Sequence, residues 1–435
     1  MCLRCGRSRT IKTNSTVLST VSLFIFLTSG LATPKAVQAK TPTRKPLTQI
    51  LQNLKSESPE TRIRALNAIN RQEEYRALSA LKPLLKDSNP WVRVYALKAL
   101  AKLHAKNLAA YLMEALKDPS PRVKETALKT LSSKKIFPEP ATPHIFTLLQ
   151  HSDKRVQIAA LKYLNARKKN DAVVPLIEIL QQQDPDVQIE AVKTLGKLKA
   201  QRALEPLLRV LHHKRSPARL RVSTVIAIGR LENPAAIAPL IKRLEDSSAS
   251  VRQFSAHALD RIAQANVLSD KQNRRVVQAL LQTLQDPKKT VRAVSARGLG
   301  TLRNPLASQE LINALSDEYK HVRFAAAEAL GKIGKTSAVT SLIRAFEDPD
   351  IGVNYSIIWS MGELPDPDSF QFLLSALDRQ ETYLKIAAIY ALGKHKNPQA
   401  IPALKALLPE KDIVMQSLIE QVLDSLSRSN NYVHL

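Results

Sequence analysis

The stretch Asp317–Gly331, DEYKHVRFAAAEALG, decides the fold. It reads as a turn over Asp317–His321, then a helix from Val322 that stops on a glycine at Gly331. Val322, Ala326, Ala329 and Leu330 stand at i, i+4, i+7 and i+8, a single apolar stripe at helical period. Two of these four are alanines, which lets another helix approach closely. One such helix cannot bury its stripe alone, and the same phrase recurs along the chain.

Taking the first stripe position as a marker, the units fall at Thr61, Val92, Val123, Val156, Val187, Leu220, Val251, Val291, Val322, Val353, Leu384 and Met415. All but three steps are 31 residues; two are 33 and one, Val251 to Val291, is 40. Each marker follows a second helical stretch, such as Val174–Leu180, Gln309–Leu315 or Val339–Phe346. Pro83, Pro175, Pro206, Pro239 and Pro402 lie near the starts of these first helices, where a missing N–H costs little. Asp-Pro pairs such as Asp184-Pro185 and Asp286-Pro287 mark the turn between the two helices. Gly196, Gly229, Gly300, Gly331, Gly362 and Gly393 are expected to end the second helices in left-handed conformation. The expectation is an all-α fold: a right-handed α-solenoid of about twelve two-helix repeats with a 31-residue period.

The phrases DPKKTVRAVSARGLG (286–300), DEYKHVRFAAAEALG (317–331) and QDPDVQIEAVKTLG (183–196) resemble the HEAT-like repeats of the phycobilisome-lyase (PBS lyase) type. The resemblance spans about residues 51–427 and speaks to fold more than to function, because that family holds scaffolds, chromophore lyases and metal-dependent hydroxylase relatives. It implies an acid–base ladder between neighbouring repeats. Arg93, Lys124, Arg252, Arg292 and Arg323 each follow a marker, with Asp87, Asp118, Asp246, Asp286 and Asp317 six residues earlier. These cations are therefore set aside as structural.

Residues 1–39 are read as a secretory signal peptide: Arg4, Arg7, Arg9 and Lys12 precede an apolar run, Val17–Ala32, and small residues before Lys40 suit cleavage. An uncleaved N-terminal anchor is the alternative, and the exported destination would be periplasm, thylakoid lumen or cell exterior. Cleavage would remove Cys2 and Cys5, the two cysteines of the chain. Residues 40–50 form a linker, 51–259 hold repeats 1–7, 260–275 are an insertion or hinge, 276–427 hold repeats 8–12, and 428–435 are a tail.

The chain carries +27. Residues 40–270 hold 40 basic and 21 acidic side chains, whereas 271–435 hold 20 and 17, so the basic character belongs to the first seven repeats. The sixth residue after each marker lies off the apolar stripe, on the helix that the resemblance places along the inner curve. It reads Asn67, Lys98, Lys129, Lys162, Lys193, Ile226, His257, Arg297, Glu328, Trp359, Tyr390 and Gln421. Four consecutive repeats thus present lysine at one place, joined by Lys102, Lys197 and Arg230 four residues beyond the same position. Farther on, Trp359 and Tyr390, with Tyr355, form an aromatic stretch suited to anchoring a partner, or equally to packing between helices.

No catalytic, metal or cofactor site emerges. Gly334-Lys335-Thr336 lacks the earlier glycine and the strand of a phosphate-binding loop. No histidine is followed by glutamate, as an iron-dependent hydroxylase relative would need. The function expected is a non-enzymatic, exported, monomeric scaffold or binding protein whose second-helix face engages an acidic or extended protein partner. A bilin-lyase-like role is the alternative suggested by the resemblance, and nucleic-acid binding through the lysines is a third. Export disfavours both, and it limits membrane contact to the signal segment.

Overall fold

The computed structural model describes residues 46–431 apart from 266, 410 and 411. The expected signal peptide, both cysteines, most of the linker and the end of the tail lie outside the described residues. The described residues hold helices and no strand. The second helices run Pro59–Gln72, Pro90–Lys102, Pro121–Ser133, Lys154–Arg167, Pro185–Lys197, Ala218–Leu231, Ala249–Gln264, Lys289–Leu302, Lys320–Ile333, Ile351–Gly362, Thr382–His395 and Ile413–Asn431. Each contains one marker, so all twelve repeats stand where the period puts them. The array is an α-solenoid. Its first helix begins at Leu47, inside the expected linker, and its last reaches Asn431, inside the expected tail.

Local chemistry sets the helix starts. Ser58, Asn89, Asp153, Asp184 and Asp350 accept a backbone N–H from the first turn of their second helices. Pro59, Pro90, Pro121 and Pro185 occupy the first helical position, where no N–H is needed. Most first helices are entered through a tight 3-10 turn that ends on a buried alanine, for example Ala203, Ala236, Ala307 and Ala338. In the second repeat the first helix is broken around Pro83 into short pieces, Leu78–Leu81 and Pro83–Lys86.

The stripe behaves as its period demands. Val322, Ala326, Ala329 and Leu330 are all buried, as are most of their counterparts in the other repeats; Thr61, Ala68, Thr130 and Leu423 are half-buried. The glycines do something other than expected. Gly196, Gly229, Gly300, Gly331 and Gly393 lie inside their helices and Gly362 is the last residue of its own, none with left-handed φ. All but Gly393, which faces the Val422 side chain, let consecutive second helices touch backbone to backbone: a Cβ on Gly300 would sit 2.7 Å from Ala329 Cα, and one on Gly362 2.8 Å from Ala391 Cα. The left-handed stops come three residues later, at Glu73, His104, Lys135, Lys168, Lys199, Glu232, Arg303, Gly334 and Lys396. Eight of these nine residues are not glycine, so the caps carry strain that neighbouring repeats hold in place.

The extra residues around 260–275 do not form a loop. They lengthen the helices on either side, giving 16 residues in Ala249–Gln264 and 14 in Asp270–Thr283, against 7 in Ser308–Ala314. Ser269 and Gln272 close a reciprocal capping box on the second of these.

The acid–base ladder is present and crosses that interruption. Each arginine after a marker binds the aspartate of the next repeat: Arg62–Asp87 at 2.8 Å, Arg93–Asp118 at 2.7 Å, Arg221–Asp246 at 2.7 Å, Arg252–Asp286 at 2.6 Å, Arg292–Asp317 at 2.7 Å and Arg323–Asp348 at 2.5 Å. The same guanidinium donates to a carbonyl behind it, six residues back in most repeats, as Arg292 does to Asp286, and five back where Arg221 donates to Ser216. Each carboxylate also accepts the N–H two residues on. Lys124 is the exception to the expected set, with no ion pair among the described residues. Over the fourth and fifth repeats glutamines replace the charges: Gln157 donates to Gln182 and Gln182 to Gln150.

Burial alone would raise the carboxyls of Asp246, Asp286, Asp317 and Asp348. The arginine and backbone donors outweigh it and hold all four below the ordinary 3.8. A carboxyl lowered by folding stabilises the protein above its unfolded value and withdraws that stability as pH falls through the folded one. Thermal stability should therefore be level toward neutral pH and fall below about pH 4; a melting temperature unchanged down to about pH 2 would contradict the ladder. Arg292→Ala, which strands the largely buried Asp317, should cost about 3 kcal/mol in urea unfolding. Gly300→Val should cost about as much by forcing two backbones apart, and should split unfolding into two transitions at that seam. Lys396→Gly should instead stabilise by about 1 kcal/mol, because φ is 55° there.

Candidate partner-binding face

Second helices stack on one another through the buried stripe and the glycine–alanine contacts, which leaves their opposite face to solvent. The sixth position after the marker lies on that open face. Lys98, Lys129, Lys162 and Lys193 are all exposed there, on four consecutive helices, with Lys102 and Lys197 exposed one turn farther on. Arg230 is half-buried. Local partners temper two of the four: Glu125 lies 2.6 Å from Lys129 and Glu190 2.8 Å from Lys193. Both pairs lie within one helix and join an exposed lysine to a half-buried glutamate. Lys98 stands 5.1 Å over the Tyr95 ring.

The basic surface is wider than the column. The left-handed caps bring Lys135 and Lys168 to the rim of the same repeats, beside exposed Lys106, Lys134 and Lys169. Glu139 binds Lys169 and Arg167, and Glu232 binds Lys199 at 2.8 Å, so part of the rim is neutralised across repeats. Lys134, Lys135 and Lys168 form no ion pair among the described residues. The period could have exposed this second column, since its members recur twelve residues after the marker, but the glycines were expected to cap the helices instead.

Beyond the basic repeats the face changes character. His257 and Arg297 are exposed, and Glu328 pairs with Lys332 at 2.6 Å. Tyr390 is exposed, Tyr355 borderline and Trp359 half-buried. Burial, helped by the charge of Tyr390, pushes the Tyr355 hydroxyl above its ordinary value. Phe324, two residues after its marker as Tyr355 is after its own, adds a third exposed ring that the sequence reading missed. Lys394 and Glu363 pair at 2.7 Å next to these rings.

A cavity of about 430 Å³ lies elsewhere, between the second and third repeats around Tyr111, Glu114 and the Arg93–Asp118 pair. Among the described residues no group of three or more His, Cys, Asp or Glu side chains converges as a metal site would need. No described helix is long and apolar enough to cross a membrane.

The HEAT-repeat family model matches residues 45–132, 142–223, 277–353 and 341–424. The PBS lyase HEAT-like repeat model matches residues 220–246. No curated protein matches in sequence. Among solved structures, importin beta superposes with a TM-score of 0.65 at 15% identity, over 88% of this chain and 65% of its own. Kap95p, which binds RanGDP, gives 0.63 at 17% identity over 88% and 62%. Kap121p gives 0.56 at 16% over 88% and 49%. The chain thus spans about half to two thirds of the length of these structures, and at such identities the likeness is one of fold. With the family model covering most of its length, the chain belongs to the HEAT-repeat family.

Proposed function

We propose that this protein is an exported, non-enzymatic scaffold that acts as a monomer and binds an acidic, extended protein segment along its second-helix face. One observation carries the reading: four consecutive second helices expose lysine at the same position, while the arginines beside the markers are largely consumed by the ladder. Solubility needs charge but no register. Packed helices lie about 8–10 Å apart, and three residues of extended chain also span about 10 Å, so a carboxylate at every third residue would meet one lysine per repeat. Tyr355, Trp359 and Tyr390 supply an aromatic end to the same face, suited to an apolar residue of the partner. HEAT-fold precedent supports a protein ligand: a Kap121p complex holds the extreme C-terminus of the phosphatase Cdc14p. Export rests on the basic and apolar pattern of residues 1–39. The PBS lyase match covers a single repeat and favours no chromophore chemistry.

The test is fluorescence-anisotropy titration of a labelled peptide with glutamate at every third residue, against its glutamine counterpart and a single-stranded oligonucleotide. The acidic peptide should bind in preference to both, with affinity falling as salt rises. Lys98, Lys129, Lys162 and Lys193 changed together to Glu should weaken it by about a hundredfold. Equal binding by that variant would reduce the column to a solvated face, and preference for the oligonucleotide would favour a nucleic-acid partner.

A further inference from the structure

Nine residues after the marker, where most later repeats carry the seam glycine, the seventh carries Asp260. Its side chain is fully buried between the second helices of repeats 7 and 8. The facing helix carries Gly298, where the other seams from the sixth repeat to the eleventh have Ala227, Ala258, Ala329, Ser360 and Ala391, and a Cβ there would meet Leu280 at 2.9 Å. A Cβ on Gly298 would lie 3.6 Å from that of Asp260. Burial would raise the carboxyl, yet neighbouring donors and the charge of Arg297 hold it below its ordinary value.

A buried carboxylate at a helix seam destabilises unless it is fully satisfied. This one is not. Gln264 donates to Oδ1 at 3.2 Å, but Oδ2 has no hydrogen bond: Arg297 Nε stands 3.4 Å away and His257 Nδ1 3.8 Å, both outside good geometry. Meanwhile Arg297 Nη2 lies 3.4 Å from His257 Nδ1. That contact needs an unprotonated Nδ1 and puts the imidazole proton on Nε2. Both residues are about half exposed, so the rest of the guanidinium and the imidazole N–H are open to solvent.

We propose that this seam is an anion anchor: Asp260 draws on Arg297 from beneath, Arg297 in turn donates to His257, and the free donors of both take a carboxylate. An arginine fixed from behind presents its planar fork at less entropic cost than a free one. The anchor lies on the open face between the lysine column and the aromatic rings. It rests on that face being the binding surface, and adds one residue-specific contact to it. Asp260 is a positioning residue; Arg297 and His257 make the contact.

Three variants test it, each read by peptide affinity and by thermal unfolding, with the glutamate peptide above as probe and succinate as the free-carboxylate arm. Arg297→Lys keeps the charge and loses the fork, and should weaken the peptide about tenfold. Asp260→Ala should weaken it to a similar extent while leaving the melting temperature unchanged or higher, since it removes an incompletely bonded buried charge. A lower melting temperature with unchanged affinity would make Asp260 structural and overturn the proposal. Succinate binding that depends on Arg297 would support the anchor with a free carboxylate as its source. If the four-lysine variant binds as the natural protein does while Arg297→Lys does not, the lysine-column reading fails and the anchor stands. The reverse pattern overturns the anchor alone, and no binding of either acid by the natural protein overturns it together with the function proposed.

Discussion

Everything in this molecule depends on how closely one second helix can approach the next. No single repeat can bury its stripe, so each relies on a neighbour, and closeness is set by small residues facing one another: Gly196 against Ala227, Gly229 against Ala258, Gly300 against Ala329. There the backbones meet with no side chain between them. That contact fixes the stacking, the stacking brings each arginine within reach of the next aspartate, and the ladder then ties the turns together. A solenoid built this way transmits order only between neighbours.

The same dependence shapes the surface. Because every repeat repeats one backbone, positions in register along the sequence become lines across the molecule. The ladder draws six arginines into largely buried pairs and leaves the lysines as the available cations. Over the fourth and fifth repeats, where the lysine column runs on, the ladder itself turns uncharged, with Gln150, Gln157 and Gln182 bonded to one another. Positive charge there is concentrated on the open face and its rim. Toward the C-terminal repeats that face becomes aromatic, with Phe324, Tyr355 and Tyr390 exposed between paired charges.

Much of the site was legible because the period is so regular. Counting six residues from each marker found Lys98, Lys129, Lys162 and Lys193, and their exposure follows from lying opposite the stripe. The rim lysines do not stand out in the sequence, because the glycine that most later repeats carry three residues before that position reads as the cap. A glycine offers freedom in φ and absence of a Cβ, and sequence does not say which is being used. Here it was the second, and the left-handed stops fell on residues such as Lys135 and Lys168. The 40-residue step reads as an insertion or hinge, and most of its residues lengthen the helices on either side of a short connection that ends at the Ser269 cap.

Sequence by itself determined the helical class, the number and phase of the repeats, the partition of charge between the two halves and the column of lysines. All of these follow from local periodicity, which a linear chain carries in full. Tertiary structure alone decided which glycines lie at seams, which aspartate meets which arginine, and that Asp260 is buried beneath Arg297 and His257. Those depend on distances between residues some 25 to 40 positions apart, set by how far one helix can sink against another. An aspartate in a helical phrase looks the same whether it faces water or a neighbouring backbone; only the packing of the next repeat tells them apart.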